Sequence, residues 1–174
     1  MIFKRPPKNN TFYWTFFALL FIGLFAMIGG IELFGRTIVN WKTPVTIFLL
    51  TGLLMTPVTS PGLEKYCKVK PLFLKIFFNI FSFGGLLFGF LIALNYYFAN
   101  DKQNIVKTEI LERGHLKSKG KPGAPYAEVK INGTNKTLTF PYNVYLEQYD
   151  FILVYTKRGL LGFDIITHKK ATIE

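Results

Sequence analysis

Several residue types that build common active sites are scarce in this sequence of 174 residues. It has one cysteine, Cys67, and two histidines, His115 and His168. A disulfide framework is therefore excluded, and no CxxC, HExxH or paired-histidine spacing predicts a metal site. The sequence also has no GxSxG turn, no Gly-Lys-Ser/Thr loop and no GxGxxG motif before a helix. We therefore expect no cofactor, no metal and no catalytic residue.

Acidic residues are scarce in the first part of the chain, which is also strongly apolar. Residues 1–99 hold nine basic residues but only Glu32 and Glu64 as acids, and half of the whole sequence is hydrophobic. Long uncharged runs predict membrane-spanning helices, because a helix needs about 20 apolar residues to cross a bilayer. We predict a transmembrane region over residues 1–100. Its three predicted helices lie at about 11–31, 40–58 and 73–99.

Two of these segments allow a second interpretation. The run at 11–31 follows a basic segment, as the apolar core of a signal peptide does. It is longer than such a core and has no small-residue cleavage site, which favours an uncleaved helix. The second run is short, and Pro57 predicts its end. A re-entrant segment is therefore the alternative to a full span.

Three residues of the third predicted helix indicate packing against other helices. Gly85 and Gly89 have the spacing of small residues that lets helix backbones approach closely. They indicate either packing within the chain or an oligomer interface. Asn79 lies in an apolar run, where an unpaired amide is costly, so we expect it to hydrogen-bond to another helix. Asn95 is expected at the interfacial end of the helix.

The distribution of basic residues predicts the orientation in the membrane. The N-terminal tail and the loop at about 59–75 together hold seven basic residues, whereas the loop at about 32–42 holds two. Because basic loops remain on the cytoplasmic side, we predict a cytoplasmic N-terminus and an extracytoplasmic C-terminal domain. The abundance of Lys, Asn, Ile and Phe is typical of an AT-rich bacterial genome. The expected location is therefore the bacterial inner (cytoplasmic) membrane.

Residues 101–174 are predicted to form a small β-rich extracytoplasmic domain. Apolar and polar residues alternate with a period of two, and Asn132-Gly133 is a hairpin signal. Five short strands, with a turn at 157–159 before the last, predict an all-β antiparallel barrel or sandwich that is SH3-like or OB-like. The predicted strands are 104–113, 126–131, 136–140, 151–156 and 160–167.

A basic patch lies between the first two predicted strands. Its four candidate residues would contact an anionic membrane surface or a partner protein. Nucleic acid is disfavoured as a partner, because most of the excess positive charge belongs to membrane loops and the domain is expected outside the cytoplasm. The candidates are Arg113, Lys117, Lys119 and Lys121.

Three functions compete. The favoured one is a non-catalytic membrane-anchored protein whose exported β domain binds another protein through strand edges at 136–140 or 104–109. Its partner would be a toxin, for an immunity protein, or a subunit of an envelope or secretion complex. The alternative is a channel or transporter subunit, which would need a homo-oligomer because three helices do not enclose a pore. The third is a membrane enzyme acting on a lipid or envelope substrate. It would use Glu32, Asp164 or His115, but their spacing does not bring them together.

Overall fold

The computed structural model describes residues 11–116 and 123–173 of the chain. Contacts between residues divide the chain into two units. Residues 1–35 and 41–94 belong to the first unit, whose described part is helical. Residues 36–40 and 95–174 belong to the second unit, which is built mainly from β-strands.

Within the described residues, three helices are long and apolar enough to cross a membrane. Large apolar side chains on these helices are exposed, as Phe25 (72%) and Leu54 (71%) are. Such a surface suits lipid rather than water, which identifies a membrane protein. The helices are α1 (Thr11–Arg36), α2 (Lys42–Cys67) and α3 (Leu72–Tyr97).

α2 extends well beyond the predicted end. The prediction that Pro57 ends the helix was wrong, because Pro57 and Pro61 both lie inside it. Each proline removes a backbone donor, but an apolar environment strongly favours the helical backbone over any open one. The helix ends at Cys67 and is capped by Lys68, where φ is 57° and the backbone is left-handed. The N–H of Val69 then donates to the carbonyl oxygen of Leu63 at 3.1 Å and closes the helix end.

The second unit contains an antiparallel sheet in which the described residues form six strands. Their order across the sheet is β1-β6-β5-β2-β3-β4. Lys136 in β4 donates from Nζ to the carbonyl oxygen of Thr37 in β1 at 2.8 Å, so the two edge strands approach each other. The sheet is therefore a nearly closed barrel, and the predicted layout of a helical region plus a small antiparallel β domain is confirmed. The strands are β1 (Thr37–Ile38), β2 (Gln103–His115), β3 (Pro125–Ile131), β4 (Thr134–Thr139), β5 (Phe151–Arg158) and β6 (Asp164–Thr172).

The core of the barrel follows the predicted alternation of apolar and polar residues. Along β3 and β5, inward apolar side chains alternate with more exposed ones. A β-bulge between Ile110 and Glu112 explains the break in the alternation of β2. The fully buried apolar side chains are Ala127, Val129, Ile131, Ile152 and Val154.

β1 comes from the segment between α1 and α2, where no strand was predicted. Thr37 lies opposite Ile165 and Ile38 lies opposite Asp164 in β6. Thr37 is fully buried, and Ile38 belongs to the barrel core. This sixth strand is two residues long, and its partner is distant in the sequence, so no local pattern indicates it.

The end of β5 and the start of β6 differ from the prediction. β5 extends into the predicted turn at 157–159 and ends at Arg158. β6 begins at Asp164 rather than at 160. The connection is the β5–β6 turn, Gly159–Phe163, in which Gly162 has a φ of 87°. Glycine adopts this φ without a steric cost, which explains why the chain reverses here.

Candidate functional site

A buried polar cluster joins α2 and α3 in the helical unit. The side chain of Asn79 is fully buried. Its Nδ2 donates to Oγ1 of Thr59 at 2.8 Å and to Oγ1 of Thr56 at 3.3 Å. It also lies 2.9 Å from the carbonyl oxygen of Lys75 in its own helix. The amide is thus bonded to a neighbouring helix, and the cluster acts as a packing contact.

Gly85 and Gly89 lie against α1 of the same chain. A Cβ atom at Gly85 would collide with the carbonyl oxygen of Gly23, and one at Gly89 would collide with that of Ala26. Only glycine allows the two backbones to approach so closely. The face of α3 that would form an oligomer interface is therefore covered by α1.

Two of the three residues on which the enzyme hypothesis relied, Asp164 and His115, lie apart in the β unit. Asp164 accepts hydrogen bonds from Nη1 of Arg158 at 3.1 Å and from Nδ2 of Asn132 at 2.8 Å. His115 lies opposite Pro125 at the far end of β2 from this ion pair. Glu32 belongs to α1 in the other unit. Among residues 11–116 and 123–173, no group of three His, Cys, Asp or Glu side chains is placed to hold a metal ion.

The basic patch is described only in part. Lys117, Lys119 and Lys121 lie outside the described residues. Arg113 donates from Nη2 to the carbonyl oxygen of Tyr149 at 2.6 Å, and the same atom lies 3.4 Å from Oδ1 of Asp150. Arg113 therefore ties β2 to the segment that precedes β5.

Two strand segments were predicted to offer an edge to a partner, 136–140 and 104–109. Pairing with β5 occupies one edge of residues 104–109, whereas the pairing of β2 with β3 on the other edge begins at Ile110, so an available edge at 104–109 stays a prediction. β4 is the terminal strand of the sheet and pairs with β3. Lys136 and Leu138 turn inward, whereas Thr137 and Thr139 are exposed. Burial lowers the pKa of the Lys136 amino group, which is directed to the carbonyl oxygen of Thr37 in β1.

The segment after β4 presents two aromatic side chains to the outside. Phe140 and Leu146 are buried in the barrel core and fix both ends of this segment. Between them, Tyr142 is 72% exposed and Tyr145 is 67% exposed. Exposed tyrosines on a fixed backbone are typical of protein-binding surfaces. We call the outer edge of β4 together with these two tyrosines the β4 surface.

Sequence reasoning missed the contact that Asn95 makes at the end of α3. Asn95 is fully buried, and its Nδ2 donates to the carbonyl oxygen of Phe163 at 3.1 Å. The backbone N–H of Leu161 donates to its Oδ1 at 3.0 Å. A polar residue near the end of an apolar run was the available signal, and it was interpreted as an interfacial position. The partner was not predictable because it lies more than sixty residues away.

The described surfaces define a class of protein, namely a membrane protein with three candidate spans and a nearly closed antiparallel β barrel. No protein-family model, curated protein or solved structure matches the chain. The function must therefore be inferred from these surfaces.

Proposed function

We propose that this chain is a non-catalytic, membrane-anchored binding protein whose β unit binds a partner protein through the β4 surface. The observation that carries the proposal is the terminal position of β4 next to two exposed tyrosines. An edge strand offers unpaired backbone groups to an added strand, and exposed aromatic residues supply contact area. A partner that adds a strand to β4 would meet both features at once.

The inner side of β4 supports this assignment. The side chains of Lys136 and Leu138 turn toward the barrel interior, which leaves Thr137 and Thr139 on the outer face. β1 is two residues long and contacts β4 through the hydrogen bond from Lys136 Nζ to the carbonyl oxygen of Thr37. We infer a small SH3-like or OB-like barrel, because β2 pairs first with β5 and then, after the bulge, with β3. A bent strand shared in this way is how small barrels close.

The pairing of β1 with β6 supports a full span for α2. β1 follows α1 directly, and the β unit follows α3. Because β1 and β6 belong to one sheet, the ends of α1 and α3 must lie on the same side of the membrane. With α1 and α3 both spanning, this requires α2 to cross as well. A re-entrant α2 would place β1 and β6 on opposite sides.

The charge distribution then supports an extracytoplasmic β unit. The N-terminal tail, the α2–α3 loop and the helix ends beside that loop hold seven basic residues, against Arg36 and Lys42 at the facing ends of α1 and α2. The proposed location is the bacterial inner membrane with the N-terminus in the cytoplasm. Protease added to spheroplasts should cut the loop at 114–125. Cutting only after lysis would contradict this orientation.

The binding function is tested by purifying the protein from native membranes in mild detergent and identifying co-eluting proteins by mass spectrometry. We expect a stoichiometric partner. A toxin would make the chain an immunity protein, and an envelope or secretion component would make it an accessory subunit. A clean homo-oligomer that conducts ions in liposomes would replace the proposal with the channel function.

The β4 surface is tested by replacing both tyrosines in the double variant Tyr142→Ala and Tyr145→Ala. We expect loss of the partner with the barrel intact, since both side chains are largely exposed. Ile105→Ala is the matched control, because Ile105 is a 60% exposed apolar residue on β2, away from β4 in the sheet. Equal recovery of the partner with the double variant and the control would show that binding uses another surface.

A further inference from the structure

The β5–β6 turn has a fixed backbone. The N–H of Gly159 donates to the carbonyl oxygen of Phe163 at 2.9 Å, and the N–H of Gly162 donates to that of Gly159 at 2.9 Å. Gly162 supplies the left-handed conformation that closes the turn. The side chains between the two glycines are therefore presented in one defined direction.

Asn95 holds this turn at the end of a membrane-spanning helix. Its amide bonds to the carbonyl of Phe163 and to the N–H of Leu161, and it is fully buried in doing so. Gly159 packs so closely on the Asn95 amide that a Cβ atom would not fit. Asn95 lies two residues before the last residue of α3. The turn is therefore held against the C-terminal end of α3.

The residues around the contact of the β5–β6 turn with the end of α3 are apolar and exposed. Leu160 is 58% exposed and Leu161 is 42% exposed, although both belong to a turn, where polar residues are usual. On the helix side, Tyr97 is 72% exposed and Phe98 is 65% exposed. Water contact with apolar surface costs about 25 cal/mol per Å². Four such side chains within one unit, next to the end of a span, need an apolar neighbour.

We propose that the β5–β6 turn is a second membrane anchor, in which Leu160 and Leu161 insert at the boundary between lipid headgroups and acyl chains. The occupant of this surface is lipid because the surface is continuous with the end of α3, where Tyr97 and Phe98 are suited to the headgroup layer. The protein therefore contacts the bilayer through its β unit as well as through its helices.

This anchor also orients the barrel. The turn follows the last residue of β5, whereas Tyr145 precedes its first residue. A strand of eight residues is roughly 26 Å long at about 3.3 Å per residue. Tyr145 and Tyr142 thus lie near the opposite end of β5 from the anchor.

A tryptophan placed in the turn tests the anchor. The native Trp14 and Trp41 are changed to Phe, Leu160→Trp is introduced, and the full chain is reconstituted in vesicles with and without brominated phospholipid. We expect emission at shorter wavelength and a loss of fluorescence with the brominated lipid. Tyr142→Trp in the same background is the matched control, and it should emit as a water-exposed residue without quenching by the lipid.

Two outcomes would overturn the proposal. If Leu160→Trp is quenched by acrylamide in water and not by brominated lipid, the turn is in water. If it is protected from both quenchers, a second copy or another protein covers it. Leu161→Trp gives the same measurement from the neighbouring position if Leu160→Trp fails to fold. Retention of far-UV circular dichroism confirms that each variant is folded.

Discussion

The helical unit and the β unit place their large apolar side chains on opposite sides. In the helical unit these side chains point outward, as Phe25 and Leu54 do, and the buried positions include Asn79, Thr56 and Thr59. In the β unit the core is apolar, with Ile131 and Ile152 enclosed, and among its described residues only single apolar side chains such as Ile105 are exposed outside the proposed anchor. The difference follows from the solvent. Burial of apolar surface away from lipid gains little free energy, whereas burial away from water is favourable.

The two units should therefore fail in different ways. Burial of apolar surface from water holds the barrel together, so it should be most sensitive to lost volume in its core. Close backbone contact and hydrogen bonds hold the helices together, so they should be most sensitive to added volume at glycine and to loss of polar pairs. Each prediction below tests one side of this difference.

The largest effect is expected for Ile152→Ala in the barrel core. Ile152 is fully buried in the core cluster. Removing its side chain leaves a cavity and should lower the free energy of unfolding of the β unit by about 3–4 kcal/mol. Urea titration in detergent, followed by far-UV circular dichroism, measures it. Ile105→Ala, at an exposed position, should cost far less, and equal costs would contradict the proposed core.

The second effect is expected for Gly23→Ala in α1. A Cβ atom there would collide with the backbone carbonyls of Phe81 and Ser82 in α3, which cannot move away as a side chain does. We expect the helical unit to lose about 2–3 kcal/mol, the range for overpacking. Titration with a denaturing detergent, followed by helical circular dichroism, measures the loss.

Gly29→Ala is the matched control for the glycine prediction. Gly29 lies in the same helix, and a Cβ atom there meets nothing within 4 Å. The replacement should leave stability unchanged or raise it by a few tenths of a kcal/mol, since alanine favours the helix more than glycine does. Similar losses at Gly23 and Gly29 would mean that helix contact does not stabilise this unit.

Sequence patterns predicted elements whose signal is local. The barrel strands β3 and β5 alternate with period two, and Asn132-Gly133 marks the hairpin, where Asn132 has a φ of 49°. β1 could not be predicted, because two residues carry no period and their pairing with β6 is set by tertiary contact. The sequence pattern underestimates the length of α2, because proline signals the end of a helix reliably in water but less so in lipid.

The candidate site was predictable to a similar degree. β4 was predicted as a strand from the hairpin signal, and it is the terminal strand of the sheet. The pairing of 104–109 with β5 on one side could not be predicted, because the order of strands in a sheet depends on long-range pairing rather than on the sequence of one strand. The contact of Asn95 with the β5–β6 turn has the same cause, as its two partners lie in a distant part of the sequence.

A smaller effect is expected for the polar pairs between α2 and α3. A double-mutant cycle of Asn79→Leu with Thr59→Val should give a coupling energy of about 0.6–1.7 kcal/mol, the range measured for hydrogen bonds within membranes. The cycle with Thr51→Val is the control, because Thr51 donates to the carbonyl of Ile47 in its own helix. A coupling energy near zero in the first cycle, or equal in both, would contradict the stabilising role of the cluster.

The smallest effect concerns the outer face of the barrel, where polar pairs meet water. The phenol of Tyr126 donates to Oε1 of Glu112 at 3.1 Å, and this hydrogen bond is the main cause that raises the pKa of Tyr126, followed by the charge of Glu112. A raised pKa means that the folded state favours the protonated phenol. Its contribution to stability is therefore present below the pKa of an unfolded tyrosine and is lost as pH rises through the folded pKa. Because the pair is exposed, the change in stability should be slight.

Titration of the tyrosine resonances by NMR measures this pair directly. Glu112→Gln should lower the pKa of Tyr126 toward its ordinary value, because it removes the carboxylate that holds the phenolic proton. Glu128→Gln should lower it less, since the charge of Glu128 is the weakest of the causes. Equal shifts in the two variants would mean that general negative charge, and not the hydrogen bond, sets the pKa. The contrast with Asn79 would then be sharper still. The polar contact of Tyr126, which is exposed to water, would act only through screened charge. The contacts of Asn79, which is enclosed in the helical unit, act through hydrogen bonds.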